Sequence, residues 1–225
     1  MRRPSTSRGP RARRALLPAV VAALWLPLAL ALALGAGCGS APPRVALTND
    51  WPAAPGDYED VVDTWTRTNV LRGAYQEALE LAGTLKSPAW RAANAAREAD
   101  NRGLAGDARA QHLLAAQAEA AGPYEFELMV TTWDRRENDL DRGKRSVWRV
   151  VLLGPDGQEI EPLEIVKDRR PALQLRAQFP AFGDFAVAYV LRFAREANVL
   201  GPGVSQVRLR MSSMRGGVDL VWAAP

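Results

Sequence analysis

One cysteine (Cys38) and one histidine (His112) are present in 225 residues. A disulfide framework within the chain is therefore excluded, and so is a metal site built from several histidines. No H-E-x-x-H pair, no G-x-S-x-G turn and no phosphate-cradling Gly-rich loop occurs, and Ser205 in GPGVSQ does not replace the missing nucleophile turn. Acidic residues are absent from the first 37 positions, which hold six arginines (Arg2, Arg3, Arg8, Arg11, Arg13 and Arg14). Setting those six aside leaves 23 basic against 25 acidic residues. The high isoelectric point thus belongs to the N-terminal stretch, and a nucleic-acid partner for the remainder is not supported.

What the N-terminus does have is a long apolar run. Ala15 to Gly37 is uncharged and ends in small residues against Cys38, the layout of an export signal. Leu34-Gly35-Ala36-Gly37-Cys38 resembles the lipobox of bacterial lipoproteins, with Gly35 where that family places a bulky residue. The resemblance implies cleavage before Cys38, a diacylglycerol on its sulfur, and palmitate among the acyl chains. With Gly39 rather than Asp after the cysteine, it further implies the outer membrane, facing the periplasm. An ordinary cleaved signal and an uncleaved span are the alternatives, since about 20 apolar residues can cross a bilayer. Pro18 and Pro27 inside the run favour a signal.

Residues 38–56 contain Pro42, Pro43, Pro52 and Pro55 and read as a semi-extended tether that lifts the domain off the membrane. Residues 57–122 read as a helical segment. Asp57 caps a short helix with Val61, Val62 and Trp65 on one face. Within Val70 to Leu85 the first half reads as helix and 79–85 as a possible strand, with Gly83 at a bulge or close contact. Ser87-Pro88 opens a helix over 87–102 and Gly106-Asp107 a second over 107–121, giving a helical hairpin.

From 123 to 225 the apolar period is two. Strands are expected over 124–133, 147–153, 159–166, 173–179, 185–193, 207–211 and 218–222, separated by turn signals such as Gly201-Pro202-Gly203 and Gly216-Gly217. The fold class is mainly β with α: an antiparallel β-sandwich, immunoglobulin-like or similar, carrying an N-terminal helical hairpin. Trp65-Thr66-Arg67, Ser87-Pro88-Ala89-Trp90-Arg91, Trp148-Arg149-Val150-Val151-Leu152, Phe179-Pro180 and Tyr189-Val190-Leu191-Arg192-Phe193 resemble segments of uncharacterised lipoproteins of Gram-negative bacteria. That resemblance implies fold and location and brings no activity.

Four candidate sites stand out beside Cys38. His112, in an Ala-rich stretch, reads as a helix-surface or interface residue. The loop Asp134 to Arg145 offers oxygen ligands (Asp134, Asn138, Asp139 and Asp141) suited to calcium, yet five basic residues outnumber its four acids, so a solvated, ion-paired loop is the stronger reading. Arg149, Arg176, Arg192, Arg208 and Arg210 on strand faces could gather into a basic face for anionic glycan or lipid headgroups. Most tryptophans sit at alternating or helical-face positions that read as core, leaving Trp51 to dock on the domain or a partner. The functional expectation is a lipid-anchored envelope protein acting as a non-enzymatic binding or assembly-accessory module, without cofactor. Its expected partners are the membrane and an envelope protein. The alternative is a module for calcium or an anionic glycan or lipid headgroup.

Overall fold

A computed structural model describes residues 41–73, 77–154 and 157–225. Cys38 and the apolar run before it lie outside these residues. Residues 42–225 form one compact unit, of mainly antiparallel β-structure in two sheets with a few helices.

The helix starts follow local chemistry. The Asp57 carboxylate accepts from the backbone N–H groups of Glu59 (2.9 Å) and Asp60 (3.3 Å), opening α1 (Tyr58–Trp65). The Ser87 hydroxyl accepts from the N–H of Trp90 (3.2 Å), and Pro88 takes the first position of α2 (Pro88–Asn101). Helix α3 (Gly106–Ala120) packs on α2 from outside and buries none of its own residues. Helix α4 (Ala172–Gln178) follows Pro171.

The first sheet has the order β1-β2-β3-β7-β6 and the second β5-β4-β8-β9. Their strands are β1 (Thr66–Arg72), β2 (Glu77–Leu85), β3 (Tyr124–Thr132), β4 (Arg149–Leu153), β5 (Glu159–Ile160), β6 (Glu164–Lys167), β7 (Val187–Phe193), β8 (Gln206–Ser213) and β9 (Gly216–Ala223). All pairings are antiparallel. Alternation puts Leu81, Phe126, Leu128, Tyr189 and Leu191 on the inner face of the first sheet, against Leu152, Leu209, Met211, Leu220 and Trp222 of the second. Phe126 and Trp222 meet across the interface with ring centroids 5.5 Å apart. A Cβ on Gly83 would lie 2.5 Å from Leu220 Cδ1, so Gly83 marks a close contact between the sheets rather than a bulge, the β1–β2 register being unbroken there.

The outer face of the first sheet is also buried. Ala82, Thr84, Glu127, Met129, Ala188 and Val190 have little or no accessible surface, and Trp90, Ala93, Leu175 and Phe179 of the helical side belong to the same continuous core. Trp90 stacks on Phe179 at 5.6 Å with the rings 3° from parallel. The hairpin's inner helix is thus part of the core.

Several expectations are corrected. Residues 173–179 form α4, not a strand: Leu175 and Phe179, four apart, are buried, while Leu173 is exposed. Residues 159–166 split around Pro162 into β5 of one sheet and β6 of the other, because proline offers no N–H to a ladder. Val70 to Arg72 belong to β1 rather than a helix. Phe185 precedes β7 and is exposed.

The tether reading changes most. Val45 and Leu47 are core residues. The Val45 N–H donates to Ala223 O (2.9 Å), and Leu47 O accepts from the Gly201 N–H (2.9 Å). The Pro43 carbonyl accepts from Arg67 (2.7 Å). The chain is therefore docked on the domain from Pro43 onward.

Candidate functional site

The sequence-derived site residues are largely consumed by structure. Asp134 caps a 3-10 turn by accepting from the Arg136 N–H (2.9 Å). Asn138 donates to Val130 O (2.6 Å) and accepts from the Tyr189 hydroxyl (2.9 Å). Asp139 is buried and accepts from the Ser146 hydroxyl (2.8 Å) and the Val147 N–H (3.1 Å). Asp141 is exposed on the next 3-10 turn (Leu140–Arg145). Among the described residues no group of three or more His, Cys, Asp or Glu side chains is placed to hold a metal ion, so the calcium alternative gains no support.

The five arginines do not form one face. Arg149, Arg208 and Arg210 share the outer side of the second sheet, Arg192 lies in the first, and Arg176 is on α4 rather than a strand. Each has an acidic neighbour. Arg149 pairs with Glu159 and Glu161, Arg176 with Asp184, Arg192 with Glu125 and Glu164, and Arg208 and Arg210 with Asp219. His112 lies on α3 with Nε2 3.5 Å from Glu98 of α2, the second of the helix-surface and interface positions that the sequence left open.

Two arrangements were not anticipated. The first is a buried charge cluster under α2 and α4. Glu127, at the centre of β3 on its helix-covered face, has no accessible surface. Its carboxylate lies 2.9 Å from Lys86 Nζ and 3.5 Å from Arg170. Lys86 also reaches Glu125 (2.5 Å), Arg170 reaches Asp168 (2.5 Å), and Arg91 and Arg192 close on Glu125. Burial pushes the Glu127 carboxyl up to about 7, the Lys86 charge offsetting only part of the effect. For Glu125 and Asp168 burial acts the same way, but their cationic partners outweigh it and hold both below the usual carboxylate range. The Lys86 ammonium also lies over the Trp90 (5.8 Å) and Phe179 (5.9 Å) rings. With Glu127 fully enclosed, no substrate touches it in this arrangement. The cluster ties β3 to its helical cover. In sequence, a Glu in an alternating strand reads as water-facing, and only the cover makes it otherwise.

The second is an exposed aromatic end. Trp133 (70% exposed) and Phe185 (67%) stand beside a groove of about 270 Å³ that Leu79, Glu80, Thr131, Thr132 and Arg135 complete. Both aromatics were expected in the core. Trp133 falls one residue past the end of β3, and Phe185 two before β7, so neither is covered by a facing strand. The Arg135 guanidinium sits 5.2 Å from the Phe185 ring centroid. Met214, fully exposed at the β8–β9 turn, lies at the same end, where Arg215 pairs with Glu137. Trp51, by contrast, is half-buried on the domain.

No family model, no curated protein and no solved structure matches this chain.

Proposed function

We propose that the chain is a bacterial lipoprotein of the outer membrane, anchored at Cys38 and facing the periplasm, whose folded part is a non-enzymatic binding or assembly-accessory module. The finer fold reading is immunoglobulin-like. It is supported by strand order: β2-β3-β7-β6 and β5-β4-β8-β9 reproduce the A-B-E-D and C′-C-F-G arrangement in the same chain order. Here β1 is an added edge strand, the helical hairpin is inserted between A and B, and no B–F disulfide is possible.

One observation carries the binding reading. The Trp133–Phe185 groove lies at the end where the B–C, D–E and F–G connections cluster, on a rigid ladder, with two large aromatic side chains exposed together. Such amphipathic surfaces are where folds of this kind bind. A photo-crosslinking residue at position 133 in cells is expected to yield a discrete protein or lipid adduct, and a yield of either no higher than at exposed Gln111 of α3 removes this reading. Anchoring has its own test. Cys38→Ser is expected to leave the membrane fraction after a high-salt wash, and retention of the variant with residues 1–37 removed overturns the lipoprotein assignment.

The alternative ligand, an anionic glycan or lipid headgroup, is favoured by the charged loop beside the groove. Five of its residues, Arg135, Arg136, Arg142, Lys144 and Arg145, are exposed. Of its four acids, Asp139 is buried and Glu137 is paired with Arg215, leaving Asp134 and Asp141 exposed.

A further inference from the structure

We infer that the aromatic end is a membrane-contact surface: Trp133, Phe185 and Met214 enter the headgroup region of an anionic phospholipid bilayer while the cations of the 134–145 loop pair with its phosphates. This names the partner of the groove described above and rests on that binding reading and on Cys38 as the anchor.

Three observations converge on it. The first is tether length. Because Pro43 is already held by Arg67, only five residue steps separate Cys38 from the folded unit. Even fully extended they span at most about 17 Å, so a lipid on Cys38 holds the domain against the bilayer instead of away from it.

The second is direction. Pro43 O and Val221 O are both bound by Arg67, and Val45 pairs with Ala223, so residues 43–45 run the same way as β9. That strand starts at the Met214 turn and runs away from it. The N-terminal end of residues 43–45 therefore points toward the aromatic end. Arg67 is in register with Gly83, and Gly83 with Leu128. Trp133 lies five residues beyond Leu128, or about 17 Å along the strands, a distance the tether just matches.

The third is the chemistry of that end. Trp and Phe beside Arg and Lys are the side chains that settle at a bilayer interface, the rings among the headgroups and the cations toward phosphate. Residues 38–225 carry a slight excess of acid, whereas the loop exposes Arg135, Arg136, Lys144 and Arg145, with Arg142 paired to Asp139, against two exposed carboxylates, which polarises the molecule toward an anionic surface. A lipid anchor plus a basic patch is also a recognised two-part attachment.

The test uses the full chain purified from membranes and reconstituted into phosphatidylcholine vesicles with brominated acyl chains, with or without phosphatidylglycerol. Bromine quenches only tryptophans at or within the bilayer. Trp65, Trp90, Trp148 and Trp222 are buried in the core and Trp51 is half-buried, so the signal of Trp133 is the part that Trp133→Phe removes. The expected result is quenching and a blue shift that are stronger with phosphatidylglycerol, reduced by salt, and lost in Trp133→Phe. Arg135→Gln/Arg136→Gln/Lys144→Gln/Arg145→Gln is expected to abolish the phosphatidylglycerol dependence, and circular dichroism checks that it folds. Quenching unchanged by Trp133→Phe, or none in the anchored chain, overturns the inference. So does a Trp133 emission shift produced by a soluble anionic glycan and not by vesicles. An in-cell crosslink from position 133 to a protein, with no bromolipid quenching, overturns the inference while leaving the binding reading intact. Absence of both adduct and quenching overturns both, and soluble behaviour of the wild-type chain on fractionation removes the anchor and this inference with it, leaving the binding reading intact.

Discussion

Glu127 is the residue whose behaviour departs furthest from its composition. Its pKa of about 7 lies above the 4.5 of an ordinary glutamate. The folded state therefore holds a proton that the unfolded state releases across this interval, and stability falls as pH rises from about 5 to 7. Glu127→Gln removes that proton linkage. The variant is expected to be more stable than the wild type at pH 8 by up to a few kcal/mol, with the difference shrinking toward pH 5, as read from urea unfolding across that range. A constant difference would show that the carboxyl is ionised throughout. Glu125 and Asp168, held low by their cations, act oppositely and contribute stability that is lost only at acid pH. Gly83 makes a second residue-level case. An added Cβ would meet Leu220 Cδ1 at 2.5 Å and Leu128 Cδ2 at 2.8 Å, both atoms in side chains with almost no free surface. Gly83→Ala is expected to cost about 1–2 kcal/mol of overpacking, seen as a lower urea midpoint at unchanged slope. A close contact at Gly83 was legible from a glycine inside an apolar alternation. The burial of Glu127 was not, because period-two patterning assigns a residue to a face but not what covers that face.

At the scale of elements, alternation located β3, β4, β7, β8 and β9 because each has one face on the inter-sheet core. It failed where two periods coincide. Leu173, Leu175, Ala177 and Phe179 alternate, but Leu175 and Phe179 are also one helical turn apart, and Pro171 is a helix-start signal. Strand β1 carries little apolar pattern, since TRTNVLR lies at an edge. Its place is fixed by Arg67, which is buried and has no carboxylate paired with it among the described residues. Its Nε donates to Val221 O (2.8 Å), Nη1 to Thr64 O and Thr66 O (both 2.8 Å), and Nη2 to Pro43 O (2.7 Å). Burial lowers its pKa. One fork thus joins α1, β1, β9 and the docked N-terminal segment, a geometry that the point charge of lysine cannot reproduce. Arg67→Lys is expected to lose on the order of 2–3 kcal/mol and to open residues 43–47 to amide hydrogen exchange. Protection left intact at Val45 would mean that the segment holds by its apolar contacts alone.

For the whole molecule, the docked segment sets what an anchor at Cys38 can do. A free tether of nineteen residues, as 38–56 reads in sequence, leaves the domain to tumble. With Cys38 anchored as proposed, five steps ending at Pro43 keep the domain within about 17 Å of the bilayer. On the proposed anchoring, the energetic consequence would be a high effective concentration of the aromatic end at the bilayer, so that even a weak contact of three apolar side chains and a few cations would stay occupied. Lengthening the tether undoes this without touching the surface. Inserting about twenty Gly and Ser residues between Gly39 and Pro42 gives a flexible span of roughly 25–30 Å root-mean-square, beyond the height from which the aromatic end meets the headgroups. On uncharged vesicles the inserted chain is expected to remain anchored while bromolipid quenching of Trp133 falls. Phosphatidylglycerol restores part of the quenching, because the loop's charges then supply the attraction that the short tether had enforced. Equal quenching in both chains on uncharged lipid would show that the aromatic end holds the membrane by its own affinity. Tether length would then have no part in setting the orientation.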